Sequence, residues 1–237
     1  MNIHCLVHLE FETLGNIREW ACNNGYSISV TMPYVNSIYP QPDEFDLLII
    51  MGGLMSVYQE DEHPWLIQEK EFVKGIIDSG KAVYGICFGA QMLSELLGGK
   101  VSRNEFREIG WHSIRSLDTF NEDEVLFSIP SELTVLQWHG DTFTLPDGAR
   151  RLFESEACPE QGFIYGDNVL AVQFHPEADE SCIDSLISEC SSDLVEGKYI
   201  QSEKEITGRD DLLASSSALM SAILDWFEDG IKASTQE

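Results

Sequence analysis

Apolar blocks alternate with amphipathic blocks along the first part of the chain. Four segments read as strands: Ile3–Leu9, Tyr26–Met32, Phe45–Met51 and Ala82–Ile86. Phe45–Met51 is nearly all apolar, as a strand covered on both faces should be. Between and after these four segments, apolar residues at helical spacing predict helices over 14–23, over 64–78 and from 88 to the glycines at 98 and 99. Strands that alternate with helices pack as a parallel sheet covered on both faces. The pattern therefore predicts an α/β fold with a mostly parallel central sheet.

A different pattern begins at Gly110, where short strands and turns follow one another. The predicted strands are Trp111–Leu117, Thr134–Trp138, Arg151–Ser155, Gly162–Tyr165 and Val169–Phe174. We expect them to extend the main sheet and to add a small antiparallel part. Helices are predicted over 181–194 and 211–227. Because no linker is evident, we predict one domain over 1–237, with a core over about 1–195 and a helical extension over about 196–237.

The charge of the chain is strongly negative, with 41 Asp and Glu against 14 Lys and Arg and a formal charge of −27. Such a surface repels nucleic acid and anionic membranes, so we expect neither as a partner. No apolar run is long enough to span a bilayer, and Met1–Glu10 lacks the basic start of a signal peptide. We therefore predict a cytoplasmic protein.

The six cysteines are scattered without C-x-x-C spacing, and the six histidines form no metal-ligand cluster in the sequence. This distribution argues against a zinc site or a disulfide framework and favours a reducing compartment. We predict neither a metal nor a cofactor. One cysteine, Cys87, differs from the others in its surroundings.

Cys87 lies at the apex of a predicted strand-to-helix turn, with Gly85 and Gly89 two residues to either side. Glycines there allow a tight turn in which a Cβ would clash, as in the elbow that exposes the nucleophile of serine hydrolases. The nearby helix N-terminus favours the thiolate over the thiol. Taken alone, a buried cysteine in a glycine-rich turn is an equally good interpretation.

A second candidate group, His175-Pro176-Glu177, follows the predicted strand 168–174. Residues two apart on an extended segment point to the same face, so His175 and Glu177 can interact. Pro176 biases His175 towards that extended geometry. An imidazole oriented by a carboxylate is the base that a cysteine nucleophile needs. The alternative is a turn that only caps the strand, and the presence of the cysteine elbow favours the catalytic interpretation.

Two motifs in combination, GxCxGxQ at 85–91 and QFHPE at 173–177, resemble those of the class I, or triad, glutamine amidotransferases. The strand at 48–53 agrees, because it ends in Gly-Gly where that family places its oxyanion loop. The resemblance covers about three quarters of the chain. It implies a three-layer, flavodoxin-like α/β fold with helices on both sides of the sheet.

Finer features are similar to one branch of the family, the stand-alone proteins related to the amidotransferase half of GMP synthetase. They are EIGW at 108–111 and QWHGD at 137–141. Leu54 departs from the proline that usually follows the two glycines in the synthetase half. Because both glycines are kept, we expect the difference to change loop stiffness more than chemistry.

The resemblance also implies a role for each motif residue. Cys87 would attack the side-chain carbonyl of glutamine, His175 would carry the proton, and Glu177 would orient His175. The oxyanion would lie between the backbone N–H groups of Gly53 and Phe88, which stabilise it by donating hydrogen bonds.

Substrate contacts are implied for a further set of residues. Gln91 and Gly52 would contact the substrate, and His139 and Asp141 would bind the amino-acid end of glutamine. The last two stand at a strand end, where ligands of parallel sheets bind. They are equally consistent with a turn in which the aspartate bonds to its own backbone.

We predict a hydrolase of the glutamine amidotransferase type, which releases ammonia and glutamate from glutamine. The sequence contains no G-x-x-x-x-G-K-[ST] loop, so passing ammonia to an activated acceptor would require a synthetase partner subunit. Alternatively, the same triad hydrolyses γ-glutamyl peptides or conjugates. A third alternative is a regulatory or binding subunit without activity, against which the intact triad argues.

Overall fold

The computed structural model describes residues 1–117 and 129–234. Within these ranges the chain forms nine strands and six α-helices. The strands are β1 (Asn2–Leu6), β2 (Ser27–Thr31), β3 (Leu47–Ile50), β4 (Ala82–Ile86), β5 (Val101–Ser116), β6 (Glu132–Phe143), β7 (Arg150–Ser155), β8 (Gly162–Tyr165) and β9 (Val169–Val172). The helices are α1 (Gly15–Asn23), α2 (Trp65–Asp78), α3 (Phe88–Leu96), α4 (Glu180–Cys190), α5 (Glu203–Ile206) and α6 (Asp210–Ser234).

Half of the sheet is parallel, in the order β2-β1-β3-β4-β9. The strand β3 shows why its sequence is almost entirely apolar. Leu47 and Ile49 pack in one core cluster with residues of α1 and α6, whereas Leu48 and Ile50 pack in another with residues of α2 and α3. Since consecutive side chains point to opposite faces, both faces of the strand need apolar residues. The three-layer α/β fold predicted from the sequence is therefore confirmed.

The other half of the sheet is antiparallel and continues from β9 through β8, β7 and β5 to β6. It is larger than the small extension that the sequence predicts, because β5 has 16 residues and β6 has 12. The predicted strands Trp111–Leu117 and Thr134–Trp138 cover only parts of them. The first half of β5 is mostly exposed and charged, so it lacks the apolar alternation by which a strand is recognised.

The helix α6 packs on the sheet. Its buried residues Leu219, Met220, Ile223 and Leu224 belong to the same core cluster as Ile17 of α1. This burial explains the apolar face of the helix. Over the described ranges, none of the helices combines the length and the apolar composition that a membrane crossing needs.

The carboxyl ends of the parallel strands meet at one edge of the sheet. The segments that leave these ends carry His8 after β1, Gly52 and Gly53 after β3, Cys87 after β4 and His175 after β9. Ligands of open parallel sheets bind in the crevice at this edge. The topology therefore gathers the candidate residues from four separate parts of the chain.

Candidate active site

The turn between β4 and α3 is strained at Cys87. Cys87 has φ 51° and ψ −103°, and among the described non-glycine residues it alone has a positive φ. Its neighbours are glycines because of close packing: a Cβ on Gly89 would lie 2.2 Å from the carbonyl oxygen of Ile50, and one on Gly85 would lie 2.6 Å from that of Gly89. Strain of this kind persists only where the surroundings enforce it, and it occurs at nucleophile elbows.

His175 and Glu177 form a buried pair, 8% and 5% exposed. The Nδ1 atom of His175 lies 2.7 Å from Oε1 of Glu177, so it donates the hydrogen bond and leaves the Nε2 lone pair free in the neutral ring. Nε2 is buried without a hydrogen-bond partner among the described residues. Burial lowers the pKa of His175, but the nearby Glu177 and Cys87 outweigh it and raise the pKa well above its ordinary value. The pair therefore presents a basic nitrogen beside the cysteine.

The backbone of the His-Pro-Glu segment is held by the start of α1. The Asn16 side chain donates to the carbonyl oxygens of Pro176 and Ala178, both at 3.1 Å, and the Asn16 backbone N–H donates to that of Glu177 at 2.8 Å. Gly15 has φ 42°, and a Cβ there would lie 2.0 Å from the Glu177 carbonyl oxygen. Sequence reasoning missed this contact, because a Gly-Asn pair at a helix start is also an ordinary start signal.

A cavity joins the three predicted catalytic residues to the glycine loop. Its lining residues are Leu9, Phe11, Glu12, Thr13, Gly52, Gly53, Leu54, Cys87, Trp138, His175, Glu177, Cys182 and Leu186. The structure thus brings together the predicted triad and both loop glycines. Among the described residues, no Lys or Arg lines this cavity.

Glu12 is an acidic residue of this cavity that the sequence analysis did not single out. Its Oε2 accepts the backbone N–H of His8 at 3.2 Å. A Cβ on Gly52 would lie 3.2 Å from Oε1 of Glu12 and 3.2 Å from Cε1 of His175, so Gly52 lies between the carboxylate and the imidazole. Burial raises the pKa of Glu12 from 4.5 to about 7. In the sequence, Glu12 is one acid among many and carries no distinguishing signal.

The two residues that carry the predicted oxyanion donors, Gly53 and Phe88, lie against each other. Phe88 is the first residue of α3, so its N–H has no acceptor within the helix. A Cβ on Gly53 would lie 3.4 Å from Cγ of Phe88. The described part of the chain also offers no acceptor to the Gly53 N–H. Both groups are therefore available as donors.

Gln91 is buried behind the nucleophile and does not line the cavity. Its Nε2 donates to Oε1 of Gln173 at 3.2 Å, and Nε2 of Gln173 lies 3.6 Å from Sγ of Cys87. Gln91 thus reaches the cysteine through Gln173, a member of the QFHPE motif to which the sequence analysis gave no role. The substrate contact predicted for Gln91 stays a prediction.

His139 and Asp141 lie outside the cavity lining. The His139 ring is held from both sides, by Oε2 of Glu108 at 3.1 Å and by the Asp141 carbonyl oxygen at 2.9 Å. Oδ2 of Asp141 accepts from the hydroxyls of Ser56 at 2.6 Å and Tyr58 at 3.0 Å. These contacts tie β6 to β5 and to the loop after the two glycines. The substrate contacts that the resemblance implies for both residues stay predictions.

A cysteine elbow and a His-Pro-Glu segment at the carboxyl edge of an α/β sheet are the motifs on which the resemblance to the class I glutamine amidotransferases rests. The model of the family "Glutamine amidotransferase class-I" matches residues 9–189. The chain belongs to this family, as the motifs predict. A solved glutamine amidotransferase from Thermotoga maritima superimposes with a TM-score of 0.81 at 28% identity over 97% of each chain, which confirms the fold.

Three curated relatives place the chain within the family. The glutamine amidotransferase-like protein YfeJ of Salmonella typhimurium is 32% identical over 87% of this chain and 89% of its own length. GMP synthase of Bacillus mycoides is 37% identical over 56% of this chain, but the match spans only 25% of the synthase. Gamma-glutamyl peptidase 5 of Arabidopsis thaliana is 30% identical over 61% of this chain and 59% of the peptidase.

Proposed function

We propose that this chain hydrolyses the γ-amide of glutamine or of a γ-glutamyl compound through a covalent intermediate on Cys87. The observation that carries the proposal is the His175 ring, which Glu177 holds by Nδ1 and which keeps a buried, unpartnered Nε2 in the cavity of Cys87. A base oriented in this way beside a strained nucleophile supports acyl transfer.

In the first step, the Cys87 thiolate forms a C–S bond to the amide carbon. The N–H groups of Gly53 and Phe88 stabilise the oxyanion. His175, which holds the proton taken from the thiol, gives it to the leaving nitrogen as the C–N bond breaks. Ammonia or an amine departs and a γ-glutamyl thioester remains. Water then attacks with its proton passing to His175, and glutamate leaves as the C–S bond breaks.

We also propose that Glu12 binds the α-ammonium of the substrate. Glutamine and γ-glutamyl compounds share this cation, which is joined to the reacting amide by a short chain. The Glu12 carboxylate faces the same cavity as Cys87, and no Lys or Arg of the described residues lines that cavity to pair with it. A charge-assisted hydrogen bond in a partly dry cavity is stronger than one between neutral groups.

The leaving group stays open between two candidates. The match to GMP synthase spans only 25% of that protein. A synthetase partner that receives ammonia from this chain is therefore the first candidate. The match to gamma-glutamyl peptidase 5 favours an amine leaving group, as in γ-glutamyl peptides. The assembled cavity argues against an inactive regulatory subunit.

The proposal is tested by labelling and turnover of the purified protein. A diazo-ketone analogue of glutamine should modify Cys87 and leave the other five cysteines unmodified, as read by peptide mass spectrometry. Assays with glutamine and a panel of γ-glutamyl dipeptides should show cleavage of at least one of these compounds. If ammonia is passed to a partner, glutamine turnover should rise when lysate that contains the cognate partner is added. Labelling elsewhere with Cys87 unmodified would refute the assignment.

A further inference from the structure

A third buried histidine–glutamate pair lies directly behind the glycine loop, and none of the proposed steps uses it. His8 follows β1, and its Nε2 lies 2.8 Å from Oε1 of Glu69 on α2. Its Nδ1 lies 2.6 Å from the carbonyl oxygen of Gly52. Both side chains are 0% exposed. Because burying two charges costs desolvation free energy, such a pair is weak evidence for stability and points to a role in positioning.

The contacts of His8 fix where its protons are. A carbonyl oxygen can only accept a hydrogen bond, so Nδ1 must carry a proton. Nε2 faces a carboxylate, which favours a proton there as well. Burial lowers the pKa of His8, but Glu69, together with Glu12 and the Gly52 carbonyl, outweighs it and raises the pKa. His8 is therefore an imidazolium that donates in two directions.

Packing prevents the His8 ring from turning away from these partners. The Phe88 ring meets it edge-on, with the ring centroids 4.8 Å apart. On another side the Trp65 ring stacks on it at 5.9 Å between centroids. Phe88 is also the residue that offers the second oxyanion donor. The direction of the Nδ1–H bond is thus fixed relative to the nucleophile elbow.

The bond from His8 determines how the peptide between Gly52 and Gly53 is oriented. The described chain has no cis peptide bonds, so the Gly52 carbonyl and the Gly53 N–H point in opposite directions. With the carbonyl held by His8 on the α2 side, the N–H is directed away from it, and Gly53 lines the cavity of Cys87. Turning this peptide over would break the bond and place an N–H against a buried imidazolium.

We propose that the His8–Glu69 pair is a positioning device that locks the Gly52–Gly53 peptide so that the Gly53 N–H faces the developing oxyanion. This inference rests on the proposed function, since it assigns the pair a part in the same reaction. Glycine loops are otherwise free to flip, and an N–H that points elsewhere stabilises no charge. The pair acts through the loop and does not touch the substrate.

The test compares two substitutions that each keep one of the two hydrogen bonds. An asparagine amide nitrogen takes the place of histidine Nδ1, so His8→Asn keeps a donor to the Gly52 carbonyl and loses the contact with Glu69. A glutamine amide nitrogen takes the place of Nε2, so His8→Gln keeps the Glu69 contact and loses the donor to Gly52. Should His8→Asn fail to fold, adding Glu69→Gln removes the unpaired buried carboxylate.

We expect kcat of His8→Gln to fall by roughly 10²–10³-fold, the usual effect of losing one oxyanion donor. His8→Asn should recover most of that loss. Affinity for the γ-aldehyde analogue of glutamate should follow the same order, because its adduct with Cys87 places an oxygen in the oxyanion site. Alkylation of Cys87 by iodoacetamide forms no oxyanion, so its rate should be equal in both variants.

The two variants should rank in the opposite order for stability from the order expected for kcat. His8→Asn leaves Glu69 without its partner and should unfold at a lower denaturant concentration than His8→Gln. If the pair had a purely structural role, the less stable variant would also be the less active one. That result would overturn the inference, and so would equal affinity of both variants for the aldehyde. If the unaltered protein cleaves neither glutamine nor any γ-glutamyl compound, the proposed function fails, while aldehyde binding still decides the role of His8.

Discussion

Two regions of this molecule are each built around a buried histidine–glutamate pair, and they differ in what they leave unbonded. In the cavity, Nδ1 of His175 bonds to Glu177 at 2.7 Å and Nε2 has no partner among the described residues. Between β5 and β6, His139 bonds through both nitrogens, to Glu108 and to the Asp141 carbonyl. A buried polar atom without a partner costs free energy, and where it lies in a cavity a bound ligand can supply the missing hydrogen bond.

The carboxylates of the two regions show the same difference. Glu108 accepts hydrogen bonds from His139, from Nε2 of Gln161 at 2.7 Å and from the Ser155 hydroxyl at 2.8 Å. In the cavity, Oε2 of Glu177 has no partner among the described residues. The Glu108 carboxylate is therefore fully bonded within the fold, whereas the Glu177 carboxylate keeps one oxygen unbonded beside the cavity. Sequence resemblance alone does not distinguish the two regions, because both contain a motif histidine.

The largest effect should come from removing the His175 side chain, which carries the unbonded Nε2, or the Cys87 nucleophile. Cys87→Ala and His175→Ala should each lower turnover by more than about 10⁴-fold, and the double variant should be little worse, because the residues act as a unit. Glu177→Gln should cost less, since it orients the ring. Turnover by His175→Ala near the rate of the unaltered protein would show that another base serves Cys87.

The Glu177→Gln variant also tests the sign of the pKa shift. Glu177 and Cys87 raise the pKa of His175, so replacing the carboxylate should lower it. The imidazolium that protonates the leaving group would then be lost at lower pH. We expect the alkaline limb of the kcat profile to move to lower pH, and an unmoved limb would contradict this assignment.

A smaller effect is expected at Glu12, whose carboxylate has no Lys or Arg partner among the described residues that line the cavity. Glu12→Gln should raise KM roughly tenfold, about 1.4 kcal/mol of binding, with little change in kcat. In the unaltered protein, kcat/KM should fall as pH drops below about 7, where Glu12 gains a proton, and the variant should lose this limb. An unchanged KM would remove Glu12 from the substrate site.

Although Glu12→Gln should weaken substrate binding, it should make the folded protein more stable at high pH. A carboxyl whose folded pKa is raised from 4.5 to about 7 prefers its neutral form in the folded state, so its ionisation destabilises the fold as pH rises through that range. The variant should therefore be more stable than the unaltered protein above pH 7 and similar to it below 4.5. Chemical denaturation at two pH values measures both effects.

The smallest effect on catalysis is expected from His139, whose two ring nitrogens are both bonded within the fold. His139→Asn keeps the donor to the Asp141 carbonyl and leaves Glu108 with one donor fewer, so the free energy of unfolding should fall by roughly 1–3 kcal/mol. We expect kcat and KM for the best substrate to be unchanged. A rise in KM without loss of stability would restore the substrate role that the resemblance implies for this residue.

The parts of the site that lie within one segment of the chain could be predicted from the spacing of their residues. The elbow at 85–91 depends on glycines and a helix start a few residues apart, and the HPE motif brings imidazole and carboxylate together across two residues. The alternation of apolar strands and amphipathic helices likewise determined the α/β fold, because burial on both faces leaves a continuous apolar signature. These features are local, so their chemistry can be read from spacing.

The polar residues that complete the site are brought together by contacts between distant parts of the chain. His8 meets Gly52 across 44 residues and Glu69 across 61, and Asn16 meets Pro176 across 160. His139 likewise bonds to Glu108 across 31 residues. Contacts at such separations depend on strand order and helix packing, which leave no periodic signal in the sequence. A polar residue's role is set by the partners that the fold places around it.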